Sequence, residues 1–171
     1  MTAVVGRRDF LRGRLFADPV RRPPHAITEA RFLARCNGCG DCVEACPQHI
    51  LSLVDRTPQI DFGIGKGGCT FCDACTTACP TGALNIEKAA PWRWLAEIVY
   101  PNCLPYNRMP CRTCADACET DAIRFHPMTR GKEIALIDAE ACTGCGACKS
   151  VCPVSAIRLA QAADDKPISV Q

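Results

Sequence analysis

Aromatic residues are scarce in this chain: two tryptophans, two tyrosines and six phenylalanines in 171 positions. Large rings supply much of the buried area in ordinary cores, so this one would be thin for its length. Something else must organise the interior. Long apolar runs are missing too. No segment approaches the ~18 apolar residues of a membrane-spanning helix, which excludes a span of that kind. Histidine is reduced to His25, His49 and His126, well separated in sequence and read as surface or structural residues. No serine–histidine–acid pattern and no glycine-rich phosphate loop stands out, so a self-contained enzyme is not expected.

The start, Arg7-Arg8-Asp9-Phe10-Leu11-Arg12, has the look of a twin-arginine export motif. Export also needs an apolar stretch of roughly 7–15 residues. Here Arg14, Asp18, Pro19, Arg21, Arg22, Pro23 and Pro24 interrupt every such run, and the longest is Leu15-Phe16-Ala17. The expectation is a chain that stays in the cytoplasm. Its charge is uneven beneath a formal net of +2. Residues 1–35 hold eight arginines against three acidic residues, and the rest holds twelve basic against fifteen acidic. A basic arm on an acidic body suits docking to a protein better than to nucleic acid, whose phosphates the body would repel.

Cysteine is the one residue in excess. Sixteen are present, about nine per cent, a level that signals a disulfide scaffold or a metal protein. They fall into four segments. The first is Cys36-Asn-Gly-Cys39-Gly-Asp-Cys42-Val-Glu-Ala-Cys46-Pro47, and the second is Cys69-Thr-Phe-Cys72-Asp-Ala-Cys75-Thr-Thr-Ala-Cys79-Pro80. The fourth is Cys142-Thr-Gly-Cys145-Gly-Ala-Cys148-Lys-Ser-Val-Cys152-Pro153. The third is stretched: Cys103, seven residues, then Cys111-Arg-Thr-Cys114-Ala-Asp-Ala-Cys118-Glu119. Alternating runs follow, such as Leu51-Ser52-Leu53-Val54 and Ile123-Arg124-Phe125, and period-two alternation argues for short strands. Turns over Asp55–Pro58 and Pro127–Lys132 should lead into return strands at Gln59–Phe62 and Glu133–Ile137.

The run C-x₂-C-x₂-C-x₃-C-P is the bacterial ferredoxin signature, in which the fourth cysteine ligates the neighbouring [4Fe–4S] cluster. Two-residue gaps let a tight loop wrap three corners of one cube. The three-residue gap is about one helical turn and carries the last sulfur toward a sibling site. Gly38, Gly40, Gly144 and Gly146 permit the tight turns. Zinc would rather take two separated pairs of ligands, and disulfides would need an oxidising compartment. Crossed ligation then predicts four sets: Cys36, Cys39 and Cys42 with Cys79; Cys69, Cys72 and Cys75 with Cys46; Cys103, Cys111 and Cys114 with Cys152; Cys142, Cys145 and Cys148 with Cys118. The third set departs from the signature through its insertion, with Pro105 and Pro110, and through Glu119 in place of proline. If Cys103 is not a ligand, that set holds a three-iron cluster or none; the expectation taken is four clusters.

The fold class expected is α+β: tandem bacterial 2[4Fe–4S] ferredoxin-like halves, with short hairpins and short helices around the clusters. Residues 1–29 form the basic arm, 30–90 the first half, 91–100 a tryptophan-rich connector, 101–162 the second half and 163–171 a tail. Trp92 and Trp94 are expected to pack the halves together. The four cysteine sets, the stretched third one, the start Gly6-Arg7-Arg8-Asp9-Phe10-Leu11-Arg12-Gly13-Arg14 and the segment Arg22-Pro23-Pro24 resemble the NapF family of ferredoxin-type accessory proteins. That resemblance implies a cytoplasmic iron–sulfur protein that contacts the catalytic molybdenum subunit of periplasmic nitrate reductase before its export. It implies help with maturation of that subunit, by supplying electrons to its iron–sulfur cofactor or helping to assemble it. The alternative is a general polyferredoxin, an electron-carrier subunit of another oxidoreductase.

Overall fold

The computed structural model describes residues 20–162. Helices among them are brief: α1 (Glu29–Arg35) opens the first half, and four-residue helices α2 (Asp41–Glu44), α3 (Ala74–Thr77), α4 (Thr113–Asp116) and α5 (Ala147–Ser150) each follow the second cysteine of a segment. In three of the segments a proline follows the fourth cysteine and disfavours helical backbone just before it. The third has Glu119 there, and its helix stops at the same place. The residue closing each helix takes the same right-handed turn in all four, so local backbone geometry, not proline, sets the length.

Strands pair in antiparallel twos. In the first half β1 (Leu51–Val54) pairs with β2 (Thr57–Ile60), with Leu51 opposite Ile60. The return strand starts at Thr57, two residues before the expected Gln59. Asp55 and Arg56, at φ 49° and 61°, complete a two-residue turn by themselves. Two positive φ values in succession match the twist of a hairpin. In the second half β4 (Ile123–Pro127) pairs with β5 (Glu133–Ile137), as the alternation indicated.

Each half also joins its beginning to its end. In the second half β3 (Trp94–Ile98) runs antiparallel to β6 (Ile157–Gln161). In the first half the equivalent junction is reduced to a single bridge between Ala26 and Leu84. The segment expected as a connector therefore supplies a strand, and its Trp92 touches both halves. Trp92 meets the Phe71 ring of the first half edge to face at 5.7 Å, while its indole N–H donates to the Thr143 carbonyl of the second at 2.9 Å. Gly144, at φ +69°, lies so close to β3 that an added Cβ would sit 1.9 Å from the Trp94 carbonyl oxygen. No side chain fits there.

One apolar cluster runs through both halves, from Ile50, Leu51, Ile60 and Phe62 to Trp94, Ile123, Ile157 and Leu159. A second, smaller cluster backs the first cysteine segment with Ala26, Ile27, Phe32, Ala83 and Leu84. The arm expected over residues 1–29 enters the described residues at Val20, and from there it is stitched into the body. The Arg21 carbonyl accepts from the Ile60 N–H of the first half at 2.8 Å. Its guanidinium donates to the Leu159 carbonyl of the second at 3.2 Å and stacks on Trp94. Arg22 stacks over Phe32 and donates to Thr57 and the Pro58 carbonyl. Its ion pair with the half-exposed Glu29 is worth only ~0–1 kcal/mol.

Candidate metal centres

All sixteen cysteines are free thiols and line four cavities. Cys36, Cys39, Cys42 and Cys79 share one with Phe32 and Leu84. Cys69, Cys72, Cys75 and Cys46 share another. Cys103, Cys111, Cys114 and Cys152 share a third, walled by Ile98, Phe125 and Ile157. Cys142, Cys145, Cys148 and Cys118 share the fourth, which Cys69 also borders. Each cavity thus draws three cysteines from one segment and the fourth from its sibling. Cys103 reaches the third cavity between two tight turns, Tyr100–Asn102 just before it and Pro105–Asn107 within its seven-residue insertion. The Asn107 side-chain amide ties those turns together, donating to the carbonyls of Pro101 and Cys103, each at 2.9 Å.

The loops reach this geometry in two ways. Gly38, Gly40, Gly144 and Gly146 all have positive φ, and the first and fourth segments turn on them. The second segment places Phe71 and Asp73 at the matching positions, at φ 51° and 58°. Aspartate enters the left-handed region with modest strain, whereas phenylalanine there is uncommon. His25 helps hold Asp73, with its Nε2 2.7 Å from the carboxylate. The histidine serves structure.

Do these residues suit an iron–sulfur group? Among the described residues no three His, Cys, Asp or Glu side chains converge on a single-ion site. The thiols instead gather in fours around shared cavities, and cysteine is the ordinary ligand of an iron–sulfur cluster. Sulfur also receives hydrogen bonds. The Ala122 N–H donates to Cys118 Sγ at 3.3 Å and the Ala156 N–H to Cys152 Sγ at 3.2 Å. Thr81, Thr113 and Thr120 hydroxyls lie 3.4–3.6 Å from Cys79, Cys111 and Cys118. Such contacts favour the thiolate and tune a cluster's potential. The residues fit the group.

Electrostatics add a constraint. Burial pushes the Cys42 and Cys114 thiols up to about 11, and Cys69 and Cys148 to about 12; neighbouring thiols add to each rise. Burial likewise raises Cys75 and Cys103. At Cys79 burial acts upward, but hydrogen bonds from the Leu84 and Ala83 backbone and from Thr81 outweigh it, and the thiol is lowered. In iron-free protein the raised thiols contribute stability below their unfolded value of ~8.5 that is lost as pH climbs through the folded values. Cys79 runs the other way. The expected result is a urea midpoint for iron-free protein that falls between pH 8 and pH 11. Loaded protein, whose ligands are already thiolates, should lack this component.

Comparison with known proteins agrees with the cavities. The 4Fe-4S dicluster domain family matches residues 35–83 and 108–156, so the second match begins after Cys103. The ferredoxin-type protein NapF of Escherichia coli K12 is 37% identical over 153 residues, 88% of this chain and 92% of its own. NapF of Haemophilus influenzae is 37% identical over 90% of this chain and 92% of its own length. The chain belongs to the NapF family. More distant likeness extends to MauM, a methylamine utilization ferredoxin-type protein of Paracoccus denitrificans, 34% identical over 77% of this chain and 66% of that one.

As a NapF-family protein it is a ferredoxin-type electron carrier, not an enzyme, with two 4Fe-4S dicluster domains in tandem. Among the described residues no helix is long and apolar enough to cross a membrane. The NapF frame also needs residues that reading for cysteines passes over. Phe62, Gly68 and Arg21 carry no ligand atom, yet all three lie where the halves meet. No spacing rule marks them, because their partners in the other half are more than fifty residues away in sequence.

Proposed function

We propose that the four cysteine sets hold four [4Fe–4S] clusters by crossed ligation, and that the chain assists the catalytic molybdenum subunit of periplasmic nitrate reductase in the cytoplasm before export. When bound, such clusters accept and release single electrons. The chain's own part is to supply thiolates, screen them from water with Ile98, Phe125 and Leu84, and direct N–H groups at the sulfurs. One observation carries the assignment: likeness to NapF runs over 88% of the chain rather than over its cysteine segments alone.

The test is co-purification from cytoplasm under anaerobic conditions, with iron and acid-labile sulfide measured on the same material. The catalytic subunit should accompany the chain. Removing residues 1–19, the arginine-rich start, should abolish that association while cluster absorbance survives. The cut belongs there because Arg21, Arg22 and the buried Pro23, Ala26 and Ile27 hold the body together. Unchanged association after truncation moves the docking site to the body. The likeness to MauM favours a second reading, a carrier subunit for another oxidoreductase. Recovery of a different redox enzyme in place of the catalytic subunit would establish it.

A further inference from the structure

Where the two halves meet, the second and fourth cysteine segments touch directly. The Cys69 N–H donates to the Cys145 carbonyl at 2.7 Å. Beside that bond, a Cβ on Gly68 would lie 2.6 Å from the Ala147 backbone nitrogen and 2.9 Å from its Cα. A Cβ on Gly146 would lie 2.4 Å from the Phe62 ring. Trp92 closes the seam, with Phe71 of the second segment on one side and Thr143 of the fourth on the other. Cys69 borders both its own cavity and the one lined by Cys118, Cys142, Cys145 and Cys148.

Within each half the sets also adjoin. Cys79 of the second segment lines the first cavity and Cys46 of the first lines the second, while Cys118 of the third lines the fourth and Cys152 of the fourth lines the third. Spatial order along the molecule is therefore first, second, fourth, third. It differs from the order in sequence.

We propose that Gly68, Trp92 and the Cys69–Cys145 backbone bond are positioning residues of an inter-half joint, which places the second and fourth cysteine sets side by side and makes the four cluster sites one series rather than two separate pairs. This rests on the reading of four cluster sites given above. The first set then lies at one end, beneath Phe32 and Leu84. The stretched third set lies at the other, beside the Tyr100–Asn107 turns. Clusters held there would form one series, with the seam as the link between halves.

Gly68 gives a clean probe because its φ is outside the left-handed region, and the three atoms nearest to an added Cβ all belong to Ala147 of the opposite half. Backbone atoms cannot swing aside as a flexible side chain does, so Gly68→Val must wedge the seam open. Its neighbour Gly67 is a control: a Cβ there would meet only the Gln48 side chain of the same half, at an ordinary 3.5 Å. Trp92→Phe removes the indole N–H and keeps a ring against Phe71, a milder change that preserves the fold.

The experiment reads spin–spin interaction between clusters by electron paramagnetic resonance of the fully reduced, full-length protein, with iron and sulfide counted on each sample. Gly68→Val should keep its iron and lose the part of the interaction that crosses the seam, leaving the part within each half. Trp92→Phe should lose less, and Gly67→Ala nothing. Unchanged spectra in both Gly68→Val and Trp92→Phe overturn the joint, as does an equal loss in Gly67→Ala. A shortfall of iron in the unaltered protein would instead count against the four-cluster reading.

Discussion

Serine at position 79 is expected to strip iron from the site of the first segment while leaving the second segment loaded. Cys79 belongs to the second segment in sequence, but it lines the cavity of Cys36, Cys39 and Cys42. Its thiol is lowered by Leu84, Thr81 and Ala83 donors despite burial, which readies it as a thiolate ligand. A serine hydroxyl is a poor substitute for thiolate toward iron, which prefers soft sulfur here. The variant should lose about a quarter of its iron and sulfide. Alkylation of the anaerobic protein with mass analysis should then label Cys36, Cys39 and Cys42, and spare Cys69, Cys72 and Cys75. Serine at Cys46 should give the reverse pattern. Labelling that followed sequence, with Cys69, Cys72 and Cys75 exposed by Cys79→Ser, would refute crossed ligation.

Phe32→Ala should cost about 3–5 kcal/mol, the range for deleting a buried phenyl ring. Phe32 is fully buried, among the largest such side chains in the described residues. It lies in the small cluster with Ala26, Ile27, Ala83 and Leu84, carries the Arg22 guanidinium 4.8 Å above its ring, and forms a wall of the first cavity. So few large side chains serve this half that none nearby can fill the gap. Denaturant unfolding of the iron-free protein should show the loss directly. In loaded protein, Cys36 and Cys39 should become the first thiols labelled. A change below 1 kcal/mol, or early labelling at the third set instead, would mean that Phe32 does not support this site.

The cysteine segments were legible because their chemistry is local. Steps of three, three and four residues put the thiols on a loop and one helical turn whatever surrounds them, and Gly38, Gly40, Gly144 and Gly146 advertise the turns in advance. The hairpins were legible from alternation, although the turn at Asp55-Arg56 proved tighter than its proline-containing neighbourhood suggested. Less was readable around Trp94. Strand β3 is short and its partner β6 lies some sixty residues on, so no local pattern distinguishes it from a connector. Arg21 and Arg22 read as charge on a docking arm. Their guanidiniums in fact cover aromatic faces and cap carbonyls, a use of arginine that depends on what folds beneath it.

By itself, then, the sequence determined the ligand chemistry and the number of cysteine sets, because those follow from spacing along a few residues of backbone. Only the tertiary structure decided how one half sits on the other. Backbone contact at Gly68 and Ala147, a ring against Gly146 and an indole between Phe71 and Thr143 select which sets become neighbours across the seam. Close packing between distant segments depends on shape at ångström scale, and shape of that kind exists only once both surfaces have formed.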